Sequence, residues 1–76
     1  MHIRDVLARN LRRMRRDRGL SQEELAHRAN IDRTYISALE RSIYSATIDV
    51  VDKLAQVLGV EASELLQAPE RKSKRG

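Results

Sequence analysis

The chain has 76 residues with 15 Lys and Arg, 11 Asp and Glu, two His and a formal charge of +4, and it contains no Cys, Phe or Trp. That is one domain near the small end of what folds unaided, without disulfides or thiolate metal sites, and compatible with a reducing cytoplasm. Its apolar runs are too short to span a bilayer and its amino terminus lacks a signal-peptide core, so neither a membrane nor an export role is expected.

The charge is uneven. Residues 1–18 carry +5, residues 19–47 carry −1, residues 48–68 carry −3, and the segment from Pro69 onward carries +3. An anionic partner is implied, but the placement of individual arginines matters more than a uniform basic coat. His2 and His27 are too scattered for a metal site, and no cofactor or catalytic constellation is expected.

Ile3, Leu7, Leu11 and Met14 recur at steps of four, four and three, which predicts a helix over roughly residues 3–18, stopped by Gly19. Ser21 followed by Glu24 reads as a capping box opening a second helix near Gln22, with Leu25, Ala26 and Ala29 inward. Asn30, Ile31 and Asp32 form a short turn in which Asn30 best tolerates a left-handed backbone, and Asp32 caps a third helix from Arg33 to about Arg41. Thr47 caps a fourth helix carrying Ile48, Val51, Leu54, Ala55 and Leu58 and ended by Gly59; a short fifth, near residues 62–67, supplies Leu65 and Leu66. The expected fold is all-α, with a domain over residues 1–68 and a frayed basic tail over 69–76.

At about 100° per residue, Ile36 and Leu39 define the buried side of the third helix, while Thr34, Ser37, Ala38 and Arg41 point away and Arg33 reaches forward from the first turn. An ordinary solvated face would also carry such residues. Preceded by a capped helix and a three-residue turn, however, the pattern is that of a helix-turn-helix, whose second helix enters the major groove of double-stranded DNA. Arg can bond guanine O6 and N7 together, hydroxyls can meet bases or phosphates, and the Ala or Thr methyl can touch thymine.

Residues 20–26, LSQEELA, together with Ile36 to Arg41, Thr47-Ile48, Leu54-Ala55, Leu58-Gly59-Val60 and Leu65-Leu66, resemble the Cro/phage-repressor-type (XRE-like) helix-turn-helix regulators over about residues 3–67. Asp32 to Ser37 particularly resembles controller proteins of restriction–modification systems. The resemblance implies a compact five-helix, lambda-repressor-like domain. It also implies a DNA contact from Gln22, base reading by Arg33, Thr34 and Tyr35, and backbone contacts from around Arg41 to Ser45. It implies that Arg15 pairs with Glu40, which lies beside the core face. Ser21, Arg28, Tyr44 and Ser45 are further candidates for phosphate contacts, with Tyr44 open to a second reading as a lid on the core. Ser42 departs from the family, which usually has Gly or Asn there. Arg9, Arg12, Arg13, Arg16 and Arg18 read as a mainly solvated face. Glu23 lies where activating members touch RNA polymerase, a further candidate partner.

Val50, Leu54, Val57, Val60 and Leu66 form a second apolar stripe beyond what a core requires, predicting a homodimer on a roughly palindromic operator. An alternative is a protein-interaction module such as the antitoxin of a toxin–antitoxin pair, although no toxin-wrapping segment is present. A membrane-surface role for the Arg-rich helix is disfavoured because its apolar stripe is needed inside.

Overall fold

The computed structural model describes residues 2–68, with five helices in order: α1 (Ile3–Asp17), α2 (Gln22–Ala29), α3 (Arg33–Glu40), α4 (Ile48–Leu58) and α5 (Ala62–Leu65). No strand occurs among the described residues. The tail expected from Pro69 onward lies outside them.

Three helices start on side-chain caps. Ser21 Oγ accepts from the Glu24 N–H at 2.9 Å, Asp32 Oδ1 from the Thr34 N–H at 3.0 Å and Thr47 Oγ1 from the Val50 N–H at 3.1 Å. Each bond satisfies a donor that the helix itself leaves without a partner. The expected capping box at α2 is only half formed, because the Glu24 carboxylate turns to Arg28, one turn on, at 3.1 Å. At α5, by contrast, Glu64 does reach back to the Glu61 N–H at 2.9 Å.

The helix ends share one device. Gly19, Asn30, Ser42 and Gly59 all adopt positive φ, between 56° and 72°. After each, the next N–H bonds five residues back: Leu20 to Arg15, Ile31 to Ala26, Ile43 to Ala38 and Val60 to Ala55. This is the Schellman arrangement, which normally seats the last of these residues on apolar neighbours. Leu20, Ile31 and Val60 do pack against the core, whereas Ile43 is half exposed.

Leu11, Leu25, Ile36, Leu39, Leu54 and Leu65 sit at the centre of the core with essentially no exposure. Leu54 therefore cannot serve in a contact between copies, and that expectation is corrected: the side chain is needed where α4 meets its neighbours. Ile3 and Ile48, both expected inside, are 59% and 86% exposed. Each lies in the first turn of its helix, and helical side chains lean toward the N-terminus, here beyond the packed layer. The fifth helix is also shorter than expected, with Leu66 outside it and 39% exposed.

One buried polar residue holds the end of the fold. Asn10, 1% exposed, donates from Nδ2 to the carbonyls of Glu64 at 3.3 Å and of Leu65 and Gln67 at 2.9 Å. Two amide hydrogens thus serve three carbonyls left open at the end of α5, tying the last helix to α1.

Candidate nucleic-acid interface

α3 packs against α1 and α2, and its open face carries Thr34, Ser37 and Arg41 at spacings of three and four, with Arg33 beside them. Arg33, Thr34 and Arg41 are exposed and Ser37 is partly so. No described acidic side chain pairs with Arg33 or Arg41; the ion pairs among the described residues are Arg15–Glu40 and Arg28–Glu24. Both guanidiniums are therefore available to bond a nucleic acid.

Ala38, expected on this face, is only 8% exposed. Its helical angle does point outward, but the chain reverses at Ser42 and brings Ile43 back, its N–H donating to the Ala38 carbonyl at 3.0 Å. A methyl group is small enough for that returning chain to cover it. The outward placement is corrected.

Tyr35 is half-buried, with its ring 6.2 Å from that of Tyr44 and tilted by 38°. Its hydroxyl donates to the Ser45 carbonyl at 3.3 Å. The pair braces the 42–45 loop against α3. Tyr44 is 55% exposed, with its ring beside that of Tyr35, which packs on the core. Ser45 is exposed beside it.

Ser42 takes φ 60°, a conformation that L-residues enter at a cost of about 1–2 kcal/mol and that Gly or Asn enters more readily. The Ser42 hydroxyl donates to the Arg4 carbonyl at 3.4 Å. That hydroxyl also neighbours the Asp5 carboxyl and holds it below its ordinary range.

Behind the open face of α3 lies a buried ionic hub. Arg15 Nε meets Glu40 Oε2 at 2.6 Å and the second guanidinium arm meets Oε1 at 2.9 Å, with the Arg15 side chain 11% exposed and that of Glu40 1%. Glu40 keeps the Arg15 guanidinium more firmly protonated than usual, chiefly through these hydrogen bonds and against the opposing effect of burial. Gln22 joins the same carboxylate, Nε2 donating to Oε1 at 3.1 Å. The Gln22 side chain, expected to contact DNA, is thus fastened inward by one of its two N–H groups. One N–H and the amide oxygen remain for an outside partner. Ser21, exposed next to it, uses its hydroxyl oxygen as the α2 cap. Arg28, another phosphate candidate, is exposed and engaged with Glu24.

Two arginines of the supposed solvated face hold the fold together instead. Arg12 donates to the Glu40 carbonyl at 2.5 Å, closing α3, and Arg18 donates to the Leu58 carbonyl at 2.6 Å, closing α4. Periodicity alone could not find them, because their carbonyl acceptors belong to distant helices. Asn10 did leave a signal, since it stands three residues after Leu7 on the apolar stripe of α1.

In comparisons with known proteins, the family profile described as "Helix-turn-helix" matches residues 11–65. The chain is 44% identical over 72 residues to a hypothetical transcription factor of Neisseria meningitidis serogroup B, covering 95% of this chain and 68% of that one. A crystal structure of the hypothetical transcription factor NHTF from Neisseria superposes with a TM-score of 0.87 at 46% identity, covering 90% of this chain and 78% of that one. Control protein C.SmaI of Serratia marcescens is 36% identical over 76 residues, covering 100% of this chain and 90% of the relative. The biofilm master regulator SinR of Bacillus subtilis, in a crystal structure with DNA, superposes with a TM-score of 0.78 at 29% identity, covering 80% of this chain and 98% of that one. With the fold and the open arginine-bearing face of α3, these matches place the chain in the helix-turn-helix family of DNA-binding transcriptional regulators, in its XRE-like branch.

Proposed function

We propose that this regulator is sequence-specific and binds a roughly palindromic operator as a homodimer, α3 of each copy lying in a major groove. The observation that carries this reading is the open set Arg33, Thr34 and partly exposed Ser37 on α3 with Arg41 at its end, neither guanidinium among them having an acidic partner among the described residues. A major groove about 12 Å wide accepts a helix, and two-fold symmetry sets two reading helices about 34 Å apart, one DNA turn. Arg33 reads guanine, Thr34 and Ser37 offer hydroxyls, and Tyr35 offers its ring edge. Arg41, Tyr44 and Ser45 line the phosphate backbone. Ser21 and Gln22 present the amino end of α2 to a second phosphate, where free N–H groups favour an anion. Ala38 plays a supporting part, letting the loop close over it.

Selection of bound sites from random DNA, followed by gel shifts, tests the proposal. A two-fold consensus should emerge, and Arg33→Ala should flatten preference among its variants by about 1–3 kcal/mol. Failure to enrich any consensus would overturn sequence-specific reading. A uniform loss of affinity across all sequences would make Arg33 a phosphate contact.

A further inference from the structure

Gln22 is the first residue of α2 and Glu40 the last of α3. The Glu40 carboxylate, 1% exposed, joins these two helix ends, since its Oε1 accepts both from Arg15 at 2.9 Å and from the Gln22 amide at 3.1 Å. Arg15 already balances the charge of Glu40 with two bonds, so the third bond matters most for what it does to Gln22.

A glutamine side chain has a donor end and an acceptor end, and when free it turns either one outward. A carboxylate repels the amide oxygen and accepts an N–H. The Glu40 bond therefore decides which way the Gln22 amide faces and fixes its nitrogen, with one N–H engaged and the second still open. Arg15 holds the adjoining backbone, donating to the Leu20 carbonyl at 2.8 Å, and Ser21 between them caps α2. Arg12 in turn donates to the backbone carbonyl of Glu40 itself. The anchor of Gln22 is thus tied to α1 as well as to α3.

We infer that Glu40 is a positioning residue for DNA binding. Its carboxylate sets the Gln22 amide before DNA arrives, so that the second N–H meets a phosphate oxygen with little further loss of side-chain freedom. The inference rests on the reading above, in which Gln22 faces a phosphate and α3 lies in the groove. A phosphate contact fixes register and does not itself read sequence. Tying that contact to the end of α3 lets the register set on the backbone fix where Arg33 and Thr34 meet the base edges.

Gel shifts of the full chain on its selected operator, arranged as a double-mutant cycle, test this. Gln22→Met keeps the side-chain length and removes both N–H groups, and in the parent it should weaken binding about tenfold. In Arg15→Met with Glu40→Leu, where the carboxylate is gone and no charge is stranded, the same change should weaken binding less than about threefold. Arg15→Met with Glu40→Gln returns an oxygen acceptor beside Gln22 and should restore most of the tenfold effect, which a purely structural role for Glu40 would not. Equal losses in the parent and both backgrounds, no loss in the parent, or no difference between the two backgrounds would each overturn the proposal. Nitrogen relaxation of the Gln22 side-chain amide in the DNA-free parent decides the matter where a background does not fold. An amide as ordered as the α2 backbone supports the anchor, and one as mobile as that of the exposed Gln67 overturns it. Failure of the parent to select any consensus would overturn sequence-specific reading instead, and the cycle then runs on any duplex the parent binds.

Discussion

Arg15→Ala tests the buried ion pair directly. It removes two short charge-assisted hydrogen bonds to a carboxylate that is 1% exposed, and a third bond to the Leu20 carbonyl at 2.8 Å. Glu40 would keep only the Gln22 amide, at 3.1 Å, as a side-chain donor. Breaking a buried pair by removing one partner costs about 3–5 kcal/mol, and the 11% exposure of Arg15 leaves little solvent to screen the loss. A domain of this size is typically stable by only about 4–11 kcal/mol, so the variant should retain little margin. At about 4–8 °C per kcal/mol, the midpoint should fall by at least about 12 °C. Circular dichroism melts at neutral pH would measure it. Replacing both partners by apolar residues, Arg15→Met with Glu40→Leu, should cost less than Arg15→Ala alone, because no charge is then stranded. A melting temperature for Arg15→Ala within about 3 °C of the parent would refute the buried-pair reasoning.

Asn10→Leu should destabilise by about 1–3 kcal/mol in urea titrations, since three carbonyls at the end of α5 lose their donor; an unchanged midpoint would show that water replaces it freely. Ser42→Gly should stabilise by about 1 kcal/mol by relieving the positive φ, and a loss instead would mean that the contacts with Arg4 and Asp5 outweigh the strain. Asp5 has a lowered carboxyl pKa when folded, so its contribution is present above the unfolded pKa of about 3.9 and is lost as pH falls through the folded value. Ser42→Ala should raise the Asp5 pKa in a carboxyl NMR titration; no movement would mean that the hydroxyl serves only the Arg4 carbonyl.

Much of this protein is written locally. The 3.6-residue recurrence of apolar side chains, the caps Ser21, Asp32 and Thr47, and the stops Gly19, Asn30 and Gly59 depend on neighbours within a turn, so helix order and limits follow from the sequence. The exposure of Arg33, Thr34 and Arg41 was legible for the same reason, and the meeting of Arg15 with Glu40 was legible only through family resemblance. Only the tertiary structure could decide that Arg12 and Arg18 close distant helices, that Asn10 clamps α5, that the returning chain covers Ala38, and that Gln22 is fastened to Glu40. Each depends on how helices are set against one another, which a periodic pattern within one helix does not specify. Ile48 shows the same limit: its spacing matches the α4 core stripe, yet no neighbouring helix reaches far enough to cover it, and it stands 86% exposed.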